Sequence, residues 1–175
     1  MWINFDDMDD SIYENAFPIM KKYDIPATGF VITGEVGSTD FHNINLSTTK
    51  ELLEMKSIGL WDFSSHTHNM YSMKKDISIL KSKAKQENIG EDINKSTNHI
   101  QRELDGNILA IVYPYGQTNK EVVNQLKKST SIKYGFTLEE QAIVPTDDNY
   151  YLPRILVSTD TFNKVVKKWK GFNHE

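Results

Sequence analysis

Two aspartates stand side by side at the end of the first apolar run of the chain, residues 2–5 ("WINF"). Neighbouring side chains at a strand end point to opposite faces, so one of Asp6 and Asp7 can bind a metal ion while the other remains available as a base. The alternative is that these residues, with Asp9 and Asp10, only favour the N-terminus of the helix that follows. We assign that helix-start role to Asp9 and Asp10. For Asp6 and Asp7 both interpretations stay open.

Two histidines, His66 and His68, follow another apolar run at residues 60–65. Two imidazoles beside one strand end, in a chain with aspartates at another strand end, fit a metal site with nitrogen and oxygen ligands. Alternation along an extended segment would put both rings on the same side of the chain. The alternative is a structural role, which is the usual one for a single histidine. The other histidines lie in polar surroundings, and we expect them at the surface: His42, His99 and His174.

The sequence "YPYG" at residues 113–116 predicts a rigid turn directly after a buried strand. Pro114 fixes its own φ and restricts the residue before it, which can leave the next backbone N–H, that of Tyr115, pointing into a pocket. Such an N–H can stabilise an oxyanion. Taken alone, however, the motif predicts only a turn.

Arg154 begins an apolar run at residues 154–158 ("RILVS") that we predict to be a buried strand. An arginine in a buried position requires a carboxylate partner, because an unpaired buried charge is costly. Asp6 is a candidate partner, and this pairing would keep Asp6 ionised as a base.

Short apolar runs alternate with longer segments of helical period along the chain. The predicted strands are rich in aromatic and β-branched residues and cover residues 2–5, 27–33, 60–65, 108–114, 134–138 and 154–158. The predicted helices cover residues 11–23, 47–59 and 119–129, with a weaker helical pattern in the polar stretch 74–104. Helix-boundary signals are a capping box at Ser11 and Glu14, a helix start at Ser47 or Thr48, and a helix end at Gly59.

This alternation predicts an α/β fold in which helices cover a mostly parallel sheet. The polar clusters fall at or just after the C-terminal ends of the apolar runs, and ligands bind at that edge of such sheets. We therefore expect one pocket to collect side chains that are far apart in sequence: Asp6, Asp7, His66, His68 and Tyr115.

The length of 175 residues and the absence of a linker predict a single domain over residues 1–175. A formal net charge of −4 argues against nucleic acid as a partner, since phosphate binding relies on clustered Lys and Arg. The chain has no cysteine, which excludes disulfides, zinc–thiolate sites and a thiol nucleophile. No apolar stretch is long enough for a membrane span, and none has the form of an export signal.

Taken in order, these motifs give the chain a strong resemblance to the NodB-homology polysaccharide deacetylases, carbohydrate esterase family 4. Within that family it resembles the enzymes that act on poly-β-1,6-N-acetyl-D-glucosamine in biofilms. The likeness covers nearly the whole chain and rests on residues 2–33, "GLWDFSSHTHN", "YPYG", "YGFTL" and "PRILVS". The resemblance implies a distorted (β/α) barrel, a divalent metal (zinc, or else nickel or cobalt), and hydrolysis of N-acetyl groups from that polymer.

The resemblance also implies roles for individual residues. Asp6 would be the general base, oriented by Arg154, and Asp7 and His66 would be metal ligands. Tyr115, after Pro114, would offer its backbone N–H to the oxyanion. An extracellular or cell-surface location and a monomeric state are further expectations of this kind.

Two departures from the family pattern stand out. The position of the third metal ligand, five residues after His66, holds Tyr71, so His68 or water would have to complete the metal's coordination. The general-acid histidine of the biofilm enzymes lies upstream of the aspartate pair, on a strand that is absent here. The sequence therefore resembles the C-terminal portion of a longer deacetylase, with its export signal also upstream.

Two alternatives to an active deacetylase are open at this point. The same fold could belong to a catalytically inactive relative that binds amino-sugar polymers. Alternatively, the sequence Asp7-Met8-Asp9 after an apolar strand, with Asp147 and Asp148 as a later acidic pair, resembles magnesium-dependent phosphatases of the haloacid-dehalogenase type. The phosphatase hypothesis leaves the histidine and "YPYG" motifs without a role.

Overall fold

The described part of the chain, residues 1–83, 85–106 and 108–168 of the computed structural model, is built on a five-stranded parallel sheet. His174 lies outside these residues. Along the sheet the strand order is β1-β2-β3-β6-β7, and a separate two-stranded antiparallel hairpin contains β4 and β5. The strands are β1 (Ile3–Phe5), β2 (Ala27–Val31), β3 (Trp61–Ser65), β4 (Met73–Lys74), β5 (Ile77–Ser78), β6 (Ala110–Val112) and β7 (Tyr134–Phe136).

The sheet curls strongly into a half-barrel. Strands β2 and β7 are three strand spacings apart in the sheet order, which would be about 14 Å in a flat sheet. Nevertheless the rings of Phe30 on β2 and Phe136 on β7 have centroids only 6.3 Å apart. The indole of Trp2 packs against both rings, at 5.9 Å and 4.9 Å. The concave face is therefore filled by side chains, as in a small barrel, and the predicted barrel-like α/β architecture is confirmed.

In the described part of the chain, four regular helices connect the strands, as the pattern of helical periods predicts. They are α1 (Phe17–Lys22), α2 (Thr49–Ser57), α3 (Ile89–Glu103) and α4 (Lys120–Ser129). A π-helical turn (Ile12–Ala16) runs into α1, and two further short turns near the C-terminus cover Thr159–Thr161 and Phe162–Val166. No helix of the described residues has both the length and the apolar character to cross a bilayer.

Helix boundaries follow the sequence signals at α2 but not at the first helix. Thr48 and Glu51 form a reciprocal capping box, and Gly59 follows the helix with φ +75°, a conformation that favours glycine. The capping box predicted at Ser11 is wrong, since its side chain makes no capping hydrogen bond. Asp9 takes that role instead, because its Oδ1 accepts from the backbone N–H of Ser11 at 2.9 Å.

Two other predicted elements are corrected. Residues 154–158 do not form a strand: Leu152 makes an isolated bridge to Phe136, and Pro153, which has no N–H to donate, follows it. Leu156 and Val157 are exposed rather than buried. The polar stretch 74–104 is helical only in α3, because the β4–β5 hairpin and two 3₁₀ turns, Ile79–Lys81 and Gln86–Asn88, occupy its first half.

The hydrophobic core lies between the convex face of the sheet and the helices. Strands β3 and β6 contribute side chains that pack against apolar residues on α2, α3 and α4. The members with no more than about 1% exposure include Phe63, Ile111, Leu52, Met55, Ile93, Ile100 and Leu126. This packing fixes the strand ends that carry the polar residues described next.

Candidate active site

The predicted ion pair between Asp6 and Arg154 is present and is bidentate. Asp6 directly follows β1, and its Oδ1 and Oδ2 accept from Arg154 Nη1 and Nη2 at 2.8 Å and 2.9 Å. The guanidinium also donates to Asn4 Oδ1 at 2.6 Å and, through Nε, to the backbone oxygen of Thr137 at 3.2 Å. These bonds tie the segment after β7 to the end of β1, across the open side of the half-barrel.

This pairing keeps Asp6 ionised. Burial raises the pKa of Asp6, but the hydrogen bond from Arg154 and the electrostatic effects of His66 and Arg154 outweigh it, and the net pKa lies below the usual 3.8. Each carboxylate oxygen has a second lone pair that the arginine does not use. Asp6 is therefore an anionic proton acceptor at neutral pH.

The chain turns directly after Asp6, where the backbone N–H of Met8 donates to the backbone oxygen of Asp6 at 2.7 Å. Both Asp7 and Met8 have left-handed backbones, with φ of +65° and +58°. Such conformations cost about 1 kcal/mol or more per residue and persist where the surroundings hold them. Here the side chain of Met8 is buried and fills the space above Gly29, where a Cβ would lie 2.4 Å from the Met8 sulfur. Packing of Met8 thus holds the turn from which the Asp7 side chain reaches His66.

His66 meets Asp7 at this point. The imidazole follows β3, and its Nδ1 lies 2.8 Å from the backbone oxygen of Val112, which can only accept a hydrogen bond. Nδ1 therefore carries the proton, and in the neutral ring Nε2 has a free lone pair. Nε2 lies 3.2 Å from Asp7 Oδ1, which is buried and has no hydrogen-bond partner.

Asp7 and His66 fit a metal ion as two of its ligands. Two electron-pair donors that face each other require a cation or a proton between them, and a backbone carbonyl on the remote nitrogen is typical of metal-binding histidines. However, no group of three His, Cys, Asp or Glu side chains within the described ranges is arranged to hold a metal ion. The protein side chains of this site therefore supply a two-ligand pair.

His68 does not join this pair, and the expectation that its ring lies beside that of His66 is wrong. Strand β3 ends at Ser65, and Thr67 has φ +76°, so the segment is not extended. The His68 Nδ1 lies 3.0 Å from Thr33 Oγ1 on the loop after β2. Its backbone N–H donates to the buried carboxylate of Asp92 on α3 at 2.8 Å.

Tyr71, at the position where the resemblance expects a third ligand, bonds to Asp7 instead. The hydroxyl donates to Asp7 Oδ2 at 3.1 Å. Burial, followed by the negative charge of Asp7 and the hydrogen bond to it, raises the pKa of Tyr71 well above its usual value of 10. Tyr71 is thus a neutral donor rather than an anionic ligand.

The "YPYG" turn brings Tyr115 to the same edge. Tyr115 has φ +59°, and it follows the buried Pro114 in a short 3₁₀ turn (Pro114–Gly116). Backbone amides in the first turn of a helix have no partner within that helix. The phenol ring of Tyr115 lies 5.0 Å from that of Tyr71, which places the turn beside the Asp7 and His66 pair.

Sequence reasoning missed an aromatic wall beside the site. Phe41 and His42 lie on the loop after β2, and their rings pack within 5.7 Å and 6.1 Å of Tyr71. His42 is exposed, as expected, whereas His99 is only partly exposed and its Nε2 is buried without a hydrogen-bond partner. Phe41 could have been expected here, because every loop that follows a parallel strand begins at this edge of the sheet.

The acidic residues of the phosphatase hypothesis do not converge. Asp9 caps the first helical turn, as assigned from the sequence. Asp147 and Asp148 accept hydrogen bonds from backbone N–H groups of their own loop, those of Val144 and Tyr150. Nothing in this arrangement supports a phosphatase.

Comparison with known proteins identifies the family of the chain. The sequence profile of the family described as polysaccharide deacetylase matches residues 1–134. The chain is 50% identical over 175 residues to the poly-β-1,6-N-acetyl-D-glucosamine N-deacetylase of Staphylococcus epidermidis, and 47% identical to that of Staphylococcus aureus strain MRSA252. Both alignments cover 100% of this chain and 60% of the relative, so the chain spans 60% of the length of these curated relatives.

Solved structures share the fold. The structure of IcaB from Ammonifex degensii superposes with a TM-score of 0.85 at 26% identity, over 95% of this chain and 71% of that chain. The deacetylase domain of BpsB from Bordetella bronchiseptica gives a TM-score of 0.73 at 22% identity, over 88% and 69%. By its sequence and its curled parallel sheet, the chain belongs to the polysaccharide deacetylase family.

Proposed function

We propose that this chain carries the hydrolytic site of a metal-dependent poly-β-1,6-N-acetyl-D-glucosamine N-deacetylase. The observation that carries the proposal is the ionised Asp6, held by Arg154, next to the free lone pairs of Asp7 and His66. The names of the staphylococcal relatives supply the polymer as the substrate class. Metal-assisted hydrolysis of an amide requires a proton acceptor next to a bound cation, and these residues can provide both.

The chemistry is divided among named groups. A divalent cation held by Asp7 and His66 would polarise the acetamide carbonyl and activate water for attack. Asp6 accepts the proton of the attacking water at a lone pair that Arg154 does not occupy. The Tyr115 N–H is the candidate donor to the carbonyl oxygen as negative charge develops there.

Cleavage then requires a proton on the nitrogen as the C–N bond breaks. Asp6 holds the proton that it has accepted, and a carboxyl of low pKa gives up a proton readily, so the same group can return it. The products are acetate and a free amine on the sugar. Because amines are cationic at neutral pH, the product polymer gains positive charge.

One observation favours a second candidate, an inactive relative that only binds the polymer. The described residues supply two metal-ligating side chains rather than three, and the aromatic wall of Phe41, His42 and Tyr71 offers a surface for sugar rings whether or not the site is active. We rank this second because binding of the polymer alone would not need an ionised carboxylate next to the lone pairs of Asp7 and His66.

Acetate release from β-1,6-linked N-acetylglucosamine oligomers tests the proposal, with zinc, nickel or cobalt added. We expect acetate and free amine in equal amounts, and their loss on chelation of the metal. Binding of the oligomer without acetate release under all three metals would favour the inactive relative. Magnesium-dependent phosphate release from an aryl phosphate would contradict both.

An extracellular or cell-surface location and a monomeric state are part of this proposal. Both derive from the resemblance and from a substrate that is a biofilm polymer. Fractionation of producing cells and light scattering of the purified chain test them.

A further inference from the structure

Tyr71 lies between the two groups that form the candidate cation site. Its hydroxyl donates to Asp7 Oδ2 at 3.1 Å, and its ring meets the ring of His66 edge to face, with centroids 5.1 Å apart at 81°. Within the described ranges, no other residue contacts both groups through a hydrogen bond to one and a ring pair with the other. Tyr71 is therefore placed to act on both at once.

The ring of Tyr71 is itself held in place. Phe41 packs at 5.7 Å from one loop and Tyr115 at 5.0 Å from another. Aromatic pairs at these distances stabilise one relative orientation by about 1 kcal/mol each. A hydroxyl on a ring fixed in this way can restrain its hydrogen-bond partner, because the ring does not move with the carboxylate.

The hydrogen bond divides the two oxygens of Asp7 between two tasks. Oδ2 is occupied by the Tyr71 hydroxyl, whereas Oδ1 is buried, has no hydrogen-bond partner and faces His66 Nε2 at 3.2 Å. Without the hydroxyl, the carboxylate could rotate and turn Oδ1 away from His66. The left-handed backbone at Asp7 does not by itself prevent this rotation, since it fixes φ and not the side chain.

We propose that Tyr71 is a positioning residue that holds Asp7 Oδ1 and His66 Nε2 on a common cation, and that it compensates in this way for a third protein ligand. The inference rests on the proposed function for the identity of the cation. Its prediction concerns affinity for the metal itself and can be tested without the reaction.

Zinc titration of the purified chain, Tyr71→Phe and Tyr13→Phe tests the proposal. Tyr71→Phe keeps the ring and removes the hydroxyl, and we expect zinc affinity to fall about 10- to 100-fold, as for other groups that orient metal ligands. Tyr13→Phe is the matched control, since its hydroxyl also donates to a carboxylate, Glu54 Oε2 at 2.8 Å, on an exposed surface. We expect it to leave zinc affinity unchanged.

Melting of the metal-free proteins separates positioning from folding. Loss of one hydrogen bond should lower the melting temperature by only about 2–4 °C in either variant. Equal zinc affinity in the unmodified chain and Tyr71→Phe would overturn the inference, even if acetate release proceeds. A Tyr71-dependent zinc site in a chain that releases no acetate would sustain the inference and contradict the proposed function.

Discussion

The Asp6 carboxylate pairs with an arginine 148 positions further along the chain. The sequence predicted this pair because a buried arginine needs a carboxylate, and that argument held even though the strand assigned to Arg154 is absent. By contrast, the partners of His68 and Tyr71 could not be predicted. They depend on the left-handed turn at Thr67, at a residue type that seldom adopts it.

Arg154→Met should destabilise the fold strongly near neutral pH. Removing one member of a buried ion pair leaves the other uncompensated, and we expect a loss of about 3 kcal/mol in the free energy of unfolding. Because the folded pKa of Asp6 lies below the usual 3.8, the stabilisation is present above that value and is lost as the pH falls through the lowered pKa. The difference between the two proteins should therefore narrow in acid.

Urea unfolding as a function of pH measures this difference. Lys56→Met is the control, since it breaks an ion pair with Asp62 of the same length, 2.8 Å, that is more exposed. We expect that control to lose no more than about 1 kcal/mol. Similar losses from both variants at pH 7 would show that the Asp6–Arg154 pair contributes nothing beyond a surface contact.

Tyr71→His should increase zinc affinity. The family pattern expects a histidine at this position, and an imidazole adds a nitrogen ligand where the phenol offers only a hydrogen bond to Asp7. We expect at least a tenfold tighter zinc complex by calorimetric titration. A histidine variant that binds zinc no better than Tyr71→Phe would mean that residue 71 does not face the cation.

At the scale of elements, periodicity predicted the five sheet strands and the helices α1, α2 and α4. These elements have strong apolar patterns and clear end signals, such as Thr48 and Gly59 at α2. The structure of segment 74–88 could not be predicted, because a hairpin with strands of two residues and single 3₁₀ turns are too short to show a periodic pattern. Strand ends were nevertheless enough to predict that Asp6, His66 and Tyr115 share an edge.

Helix α3 supports the loop after β3, a role that its sequence does not predict. Asp92 is buried, with an exposure of only 7%. Its two carboxylate oxygens accept hydrogen bonds from the backbone N–H groups of His68 and Asn69, both at 2.8 Å. Since this loop follows His66 directly, the carboxylate fixes the chain that carries the candidate ligand.

Asp92→Asn should therefore loosen that loop. An amide offers a single acceptor oxygen for two buried donors, so we expect a loss of about 1–3 kcal/mol in the free energy of unfolding and weaker zinc binding. Chemical denaturation and zinc titration measure the two effects. The neighbouring Glu91→Gln, which only breaks an exposed pair with Lys95, should change neither; if the two variants behave alike, Asp92 does not support the site.

At the scale of the whole molecule, the curled parallel sheet explains why the candidate site residues lie together at one edge. The concave face is closed by Phe30, Phe136 and Trp2, and Arg154 spans the open side to reach Asp6. The direct pairing of β3 with β6 places the turn after β6 beside the loop after β3, as the Tyr71–Tyr115 contact shows. The site is therefore a property of the fold rather than of any single motif.

We propose Asp6 as the base of a hydrolytic site, and acetate release by Asp6→Asn tests this role most directly. With zinc and the β-1,6-linked oligomer, we predict a fall of at least about 100-fold in kcat/KM relative to the unmodified chain. Asp148→Asn, which alters an acidic residue in a remote loop, should retain the full rate. A rate for Asp6→Asn within about threefold of the unmodified chain would contradict the account, since general-base catalysis contributes far more than that.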